Sequence, residues 1–295
     1  MTDNNQIGDV IDIEGIGKEY AKDLKKVGIE TTEDLRNVPL IAVVEKTEIS
    51  PKLIYKFQCL SDLFRLKGVA EEYSDILFYA EVETVKEVSK QKPKDLLSKI
   101  KKAAEKAEKK PGWHGDINKV PSLNNIKEWI KSAKKLVKSG KDAILAAQVK
   151  ETPELATKSP EKSQIGNVED IEGIGPSFAK KLKAVGLDTT EKLRKTSLIA
   201  IVEATSLSPK LVYKWICMSD LFRIRSAAEE YTDLLFYSGI ETVKELSKFE
   251  EKELLTKIKK SAKKAQTKDG WQGDIKKIPG EKTIKKWIDS ARELV

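Results

Sequence analysis

Histidine occurs once in these 295 residues, cysteine twice, and aromatic side chains make up only 6% of the chain. A lone His114 offers neither a histidine-based general base nor a histidine-ligated metal centre, both of which need positioned partners. Cys59 and Cys217 have no Cys or His at ligand spacing. They read as two core thiols in a reducing interior, not as a disulfide framework. No uninterrupted apolar run of about 18 residues occurs, and no signal peptide, so the expectation is a soluble, non-exported, cytoplasmic protein with no membrane partner. Val, Ile and Thr rarely alternate with polar residues, which leaves strands without support. A phosphate-binding loop, a serine nucleophile elbow and a catalytic carboxylate pair are all missing. The expectation is a protein that is not an enzyme and carries no cofactor.

The sequence instead repeats itself. Residues 7–137 align with 165–295 at a constant offset of 158, without insertion or deletion. About 60% of the aligned positions are identical, over a period far longer than a solenoid unit. Each copy is therefore a whole domain, large enough to bury a core without disulfides or metal. The order expected is a first domain over 7–137, a linker over 138–164 and a second domain over 165–295. In the linker, Asp142–Ala147 can extend or dock a helix. Lys150–Ser163, with Pro153 and Pro160, has the composition of a flexible tether. Met1–Gln6 reads as a short disordered end.

The net charge is +8 and the isoelectric point about 9.1. Copy one holds 25 Lys+Arg against 22 Asp+Glu, and copy two 25 against 20. Most of these charges belong to solvated helix faces, but lysines cluster at Lys99–Lys110 and at Lys257–Lys268, where a positive field is expected. Asp62, Asp116 and their repeats Asp220 and Asp274 read as solitary carboxylates that cap helices or pair with lysines. Trp113 and Trp271, each next to a glycine, read as loop anchors in preference to base-stacking platforms.

The most informative string is Asp12-Ile13-Glu14-Gly15-Ile16-Gly17, which returns as Asp170-Ile171-Glu172-Gly173-Ile174-Gly175. Apolar residues at 20, 21, 24 and 27 follow, then Gly28, which marks a helix with a glycine stop. Pro176 sits where a first helical turn accepts proline. The pattern Ile-x-Gly-Ile-Gly-x-x-x-Ala-x-x-Leu resembles the helix-hairpin-helix motif of DNA repair, replication and recombination proteins. A second turn, Leu66–Leu77 with Ile224–Tyr231 as its repeat, has a similar shape but lacks the paired glycines; it reads as the structural half of the unit. Each copy as a whole is similar to a prokaryotic, often archaeal, domain family built on paired helix-hairpin-helix units and without an established activity.

The fold expected is thus all-α: two tandem homologous domains, each a pair of such units, the second degenerate, plus a C-terminal helix bearing Trp129 or Trp287. The resemblance implies sequence-independent binding of duplex or junction DNA, with RNA as a variant. Backbone N–H groups would grip a phosphate at a helix N-terminus. Carried onto this chain, the site comprises Gly15, Ile16, Gly17, Lys18, Glu19 and Lys22 in copy one, and Gly173, Ile174, Gly175, Ser177, Lys180 and Lys181 in copy two. Lys25, Lys26 and Lys183 lie on the same helices. The alternative is a protein-docking or scaffold role, associated with the ribosome or another nucleoprotein machine.

Overall fold

The computed structural model describes residues 6–108, 120–139, 163–265 and 278–295. Among them there are sixteen α-helices and no strand; the isolated bridges Asp9–Thr31 and Asn167–Thr189 are the only β pairing. Copy one runs through α1 (Lys18–Lys26), α2 (Thr32–Asn37), α3 (Leu40–Lys46), α4 (Pro51–Phe64), α5 (Ala70–Tyr79), α6 (Val85–Lys90), α7 (Pro93–Glu108) and α8 (Leu123–Ser139). Copy two repeats the series as α9 (Pro176–Lys183), α10 (Thr190–Arg194), α11 (Leu198–Thr205), α12 (Pro209–Leu221), α13 (Ala228–Tyr237), α14 (Val243–Ser247), α15 (Glu251–Ala265) and α16 (Glu281–Leu294). The protein is all-α and carries the same helical series twice. Within the linker, residues 140–162 lie outside the described residues, as do Met1–Asn5, Trp113, His114, Asp116, Trp271 and Asp274.

Local chemistry sets the helix ends. Thr31 accepts from the Asp34 N–H, and the Asp34 carboxylate takes the Thr31 N–H at 2.9 Å, a reciprocal cap that starts α2. Thr84 and Thr242 cap α6 and α14 by accepting the Glu87 and Glu245 N–H groups. Gly28 and Gly186, at φ +79° and +85°, close α1 and α9 in the left-handed conformation that glycine adopts without strain.

In unit 1, α4 is the buried axis. Phe57, Gln58, Cys59, Leu60, Ser61, Asp62, Leu63 and Phe64 are all nearly inaccessible. Gln58 Nε2 donates to the carbonyls of Leu35 and Val38 at 3.1 and 2.7 Å, tying α2 to this axis. A second cluster gathers Leu66, Val69, Leu77, Val85, Leu96 and Ile100 around Trp129 of α8. Tyr73 packs on that indole at 5.0 Å, and Tyr231 on Trp287 at 4.9 Å. The second turn of each copy meets the same indoles. Gly68, at φ +80°, lies beside Trp129 Nε1, and Trp287 Nε1 donates to the Ser226 carbonyl at 3.0 Å. Leu66, Val69, Ile224 and Ala227 of these turns are buried, while the tips Lys67-Gly68 and Arg225-Ser226 are exposed.

The compact units depart from the repeat boundaries in one segment each. Of the described residues, unit 1 takes those within Met1–Val38, Lys52–Leu155 and Ser197–Pro209; unit 2 takes those within Pro39–Pro51, Ala156–Thr196 and Lys210–Val295. Helix α3 of the first repeat therefore completes unit 2, and α11 of the second repeat completes unit 1. Both are short and apolar nearly all round. Leu40, Ile41, Ala42, Val43 and Val44 are buried in α3, as are Leu198, Ile199, Ile201 and Val202 in α11. Each such Leu, Ile or Val contributes about 1.5–3 kcal/mol gross on burial.

Polar contacts fix the exchanged helices. In unit 1, Glu203 of α11 accepts from Arg65 at 2.6 Å and lies 3.8 Å from Arg36. Arg65 also pairs with buried Asp62 at 2.8 Å, and Ser197 Oγ donates to the Arg36 carbonyl at 2.7 Å. Asp62 turns its other oxygen to the Val85 N–H at 2.7 Å, so it caps the start of α6, one of the two roles expected of it, and its ionic partner is an arginine in place of a lysine. In unit 2, Glu45 of α3 takes the place of Glu203: Arg223 donates to it at 2.9 Å, and Arg194 lies 3.8 Å away. The C-termini of both helices are met by lysines, which favours their dipoles. Lys86 donates to Glu203 O at 3.2 Å, while Lys244 donates to Val44 O and Thr47 O at 3.2 and 2.5 Å. Burial, reinforced by the nearby Asp62 or Asp220, pushes the Glu203 and Glu45 carboxyls above the usual range against the pull of their arginines.

Removing either carboxylate tests this arrangement directly. Glu203→Ala or Glu45→Ala removes one of two carboxylates from each arginine, which keeps Glu33, Asp62, Glu191 or Asp220; each change should cost about 1–3 kcal/mol in urea unfolding followed by circular dichroism. An isolated repeat over 7–137 has no α11, so its own α3 should exchange with a second chain; it is expected to elute as a dimer, and a stably folded monomer would contradict the exchange. The carboxyl of Glu48, held by Lys248 and then Lys244, is lowered to about 2. Its contribution is complete above about pH 4.5 and disappears as pH falls through 2. Because Glu48 is mostly exposed, that contribution stays under about 1 kcal/mol. Glu48→Gln should flatten the acid limb by that amount at low salt and not in 1 M salt.

Candidate functional site

The Gly-Ile-Gly segment of each repeat is a surface turn that leads into a helix. In unit 1, Val10 N–H donates to Glu30 O and Thr32 N–H to Gly8 O, both at 2.9 Å, which pins the entering chain against the start of α2. Gly8 is required there, since a Cβ would stand 2.6 Å from Asp12 Oδ2 and 2.8 Å from the Phe64 ring. A short 3₁₀ turn over Val10–Asp12 follows, capped by Asp9. Ile13 and Ile16 then drop their side chains into the core. Between them Gly15 sits at φ +92°, and its counterpart Gly173 at +90°, so the chain reverses where a side chain would be strained.

Gly17 is the N-cap of α1 and Gly175 that of α9; neither helix receives a side-chain cap. Among the described residues, the N–H groups of Gly15, Gly17, Lys18 and Glu19 have no protein acceptor. A helix N-terminus left in this state concentrates uncompensated donors and partial positive charge. In unit 2 the turn lines a shallow, open depression of about 560 Å³ running from Glu169 to Phe178. There Pro176 has no N–H to give, and the Phe178 N–H closes a turn onto Gly175 O at 3.0 Å.

Ile16 and Ile174 do not act as donors. The Ile16 N–H bonds to Ile13 O at 2.9 Å and the Ile174 N–H to Ile171 O at 3.0 Å, because each isoleucine must turn inward to anchor the loop. Gly15, Gly17, Lys18, Glu19 and Lys22 lie together on the exposed side of the first turn, and Gly173, Gly175, Ser177, Lys180 and Lys181 on that of the second. The lysines divide into two groups. Lys25 is bound by Asp9 at 2.8 Å, Lys26 by Asp23 at 2.7 Å and Lys183 by Glu169 at 2.5 Å. Among the described residues, Lys18, Lys22, Lys180 and Lys181 have no acidic partner, so their charge is available to a ligand. Copy one sets Glu14 and Glu19 against this charge; copy two keeps Glu172 but has Ser177 at the second position.

Elsewhere the titratable groups are bound into the fold. Cys59 and Cys217 are buried free thiols, and burial pushes both well above the usual thiol range, away from thiolate chemistry. Tyr55 donates to Glu83 at 2.6 Å and Tyr213 to Glu241 at 2.7 Å, both inside the core. Among the described residues no group of three or more His, Cys, Asp or Glu side chains is placed to hold a metal ion, and no helix is long and apolar enough to cross a membrane.

Fold and turns together define an all-α protein that carries one helical domain twice, each copy bearing an exposed glycine turn at a helix N-terminus. The chain belongs to the family described as a domain of unknown function, DUF4332, which matches residues 14–136 and again 172–294. No curated protein and no solved structure matches it.

The two glycines of each turn should respond differently to substitution. Gly15→Ala and Gly173→Ala force a side chain into the left-handed region and should each cost about 1–2 kcal/mol. Gly17 and Gly175 have ordinary φ and nothing within 4 Å of an added Cβ. Their replacement by serine should leave the unfolding midpoint unchanged or raise it slightly through a cap bond. A bulky residue at 17 or 175 thus tests the surface; one at 15 or 173 also strains the fold.

Proposed function

We propose that the protein binds nucleic acid without reading sequence, duplex or junction DNA before RNA, by gripping backbone phosphates at the two glycine turns. The observation that carries this reading is the repeated combination of uncapped helix N-terminal amides with two unpaired lysines close by on the following helix. The turns resemble helix-hairpin-helix phosphate grips in their Gly-x-Gly spacing, positive-φ first glycine and buried central isoleucine. Donors and dipole at such a terminus favour a phosphate, and contacts of that type carry no base information. In copy one the donors are the amides of Gly15, Gly17 and Glu19, with Lys18 and Lys22 adding charge; in copy two they are the amides of Gly173, Gly175 and Ser177, with Lys180 and Lys181. A pI of about 9.1 agrees with a polyanionic partner. Copy two, free of the second acid beside its turn, is the stronger half. Two weak sites on one chain gain from effective concentration when both engage the same duplex.

Fluorescence anisotropy with a labelled duplex across a salt series tests this. Affinity should fall steeply with salt. Lys18, Lys22, Lys180 and Lys181→Gln together should weaken binding at least tenfold and lower the slope of log K against log salt by roughly 0.9 for each phosphate no longer neutralised. Binding of neither DNA nor RNA at low salt would remove the reading and leave the protein-docking alternative, which the acids at Glu14 and Glu19 favour. A nuclease-resistant, stoichiometric protein partner would then be sought by affinity capture.

A further inference from the structure

A more densely positive concave surface lies away from the glycine turns. An open groove of about 610 Å³ runs between the start of α7 and the face of α8, lined by Lys92, Lys127, Lys131, Lys134, Lys135 and Lys138. Among the described residues no acidic side chain pairs with Lys92, Lys127, Lys134, Lys135 or Lys138; Lys131 meets Glu128 at 3.7 Å, both largely exposed. The second repeat has inverted the same surface. Where copy one has Lys92, Pro93, Lys131 and Lys135, copy two has Glu250, Glu251, Asp289 and Glu293. Two bases that remain there are neutralised locally. Lys285 pairs with Glu251 and Asp289 at 3.6 and 3.4 Å, while Arg292 binds Glu250 at 3.3 Å and donates to Ser247 O at 3.1 Å. The same helices form in both units and the core indole is Trp in both, so folding does not require the lysines.

We infer that the α7–α8 groove of unit 1 is a second nucleic-acid site, one that holds a phosphodiester backbone and has no equivalent in unit 2. The α8 lysines follow one another at helical spacing from 127 to 138, a stripe of about 16 Å. That length spans about five phosphates of one strand along a duplex, at about 3.4 Å each. The floor offers only Ile130, nearly buried, with half-buried Pro93 and Gln91. No aromatic ring lines the groove, so bases have no stacking platform. An acidic peptide would lack the apolar anchor pocket on which protein interfaces depend. Lysines, as mobile point charges, suit phosphates in any sequence context. The inference rests on the nucleic-acid reading but on different residues.

The decisive experiment uses the full chain and a labelled duplex in anisotropy across a salt series, with circular dichroism on every variant. The groove set is Lys127, Lys131, Lys134 and Lys135→Gln; the turn set is the four glutamine changes at 18, 22, 180 and 181; the control is Lys285→Gln with Lys286→Gln. Folded groove variants should bind at least tenfold more weakly with a shallower salt slope, and the control should match the wild type. If the groove set binds like the wild type while the turn set fails, the groove is overturned and the turn reading stands. If the groove set fails and the turn set does not, the reverse holds. A wild-type chain that binds no probe at low salt overturns both.

Discussion

A half-buried carboxylate between two buried arginines is the contact around which this molecule is organised. Glu203 lies against Arg65 and Arg36 in one unit, and Glu45 against Arg223 and Arg194 in the other. In each case the glutamate comes from one repeat and the arginines from the other. Such a pair gains little over well-packed apolar residues, and each arginine also holds a second carboxylate from its own repeat. An apolar helix such as Leu40–Val44 fits many greasy surfaces, and the pairing of one carboxylate with two guanidiniums fixes its register in the seat it occupies.

The exchange changes what the duplication means. Two tandem copies suggest beads on a string, each complete and each replaceable. Here neither repeat finishes a unit from its own residues, so the copies are interdependent in folding even where they have diverged in surface chemistry. That interdependence leaves surfaces free to drift. The glycine turns have kept their backbone in both copies, Gly15 and Gly173 sharing nearly one φ, while the charges around them differ by Glu19 against Ser177. The α7–α8 groove has changed sign between copies on the same helical frame.

Much of the architecture was legible in the residues. The glycine stops after α1 and α9, the Thr31 cap, the inward Trp129 and Trp287 and the buried single cysteines all follow from short-range rules of spacing and capping, and the structure places them so. The second turn, without paired glycines, reads as the structural half; its flanks pack on Trp129 and Trp287 while its tips stay exposed. Reading Ile16 as a donor failed for a reason of packing: an apolar side chain that must turn inward takes its own N–H into the turn that puts it there. The charges at Lys25, Lys26 and Lys183 were misjudged because their partners, Asp9, Asp23 and Glu169, are set by where a 3₁₀ turn and a helix face meet.

The sequence by itself determined the all-α class, the twofold repetition and the position of the glycine turns, because each depends on interactions within a few residues or on identity at a fixed offset. Only the tertiary structure decided which repeat each apolar helix joins, which lysines remain unpaired and where α8 lies against α7. Leu40–Val44 and Leu198–Val202 announce that they are buried, since they are apolar on every face. Nothing local says against what. With two nearly identical seats on one chain, each carrying the same pair of arginines for the same glutamate, neither apolar pattern nor charge separates them, and the choice is a property of the folded chain alone.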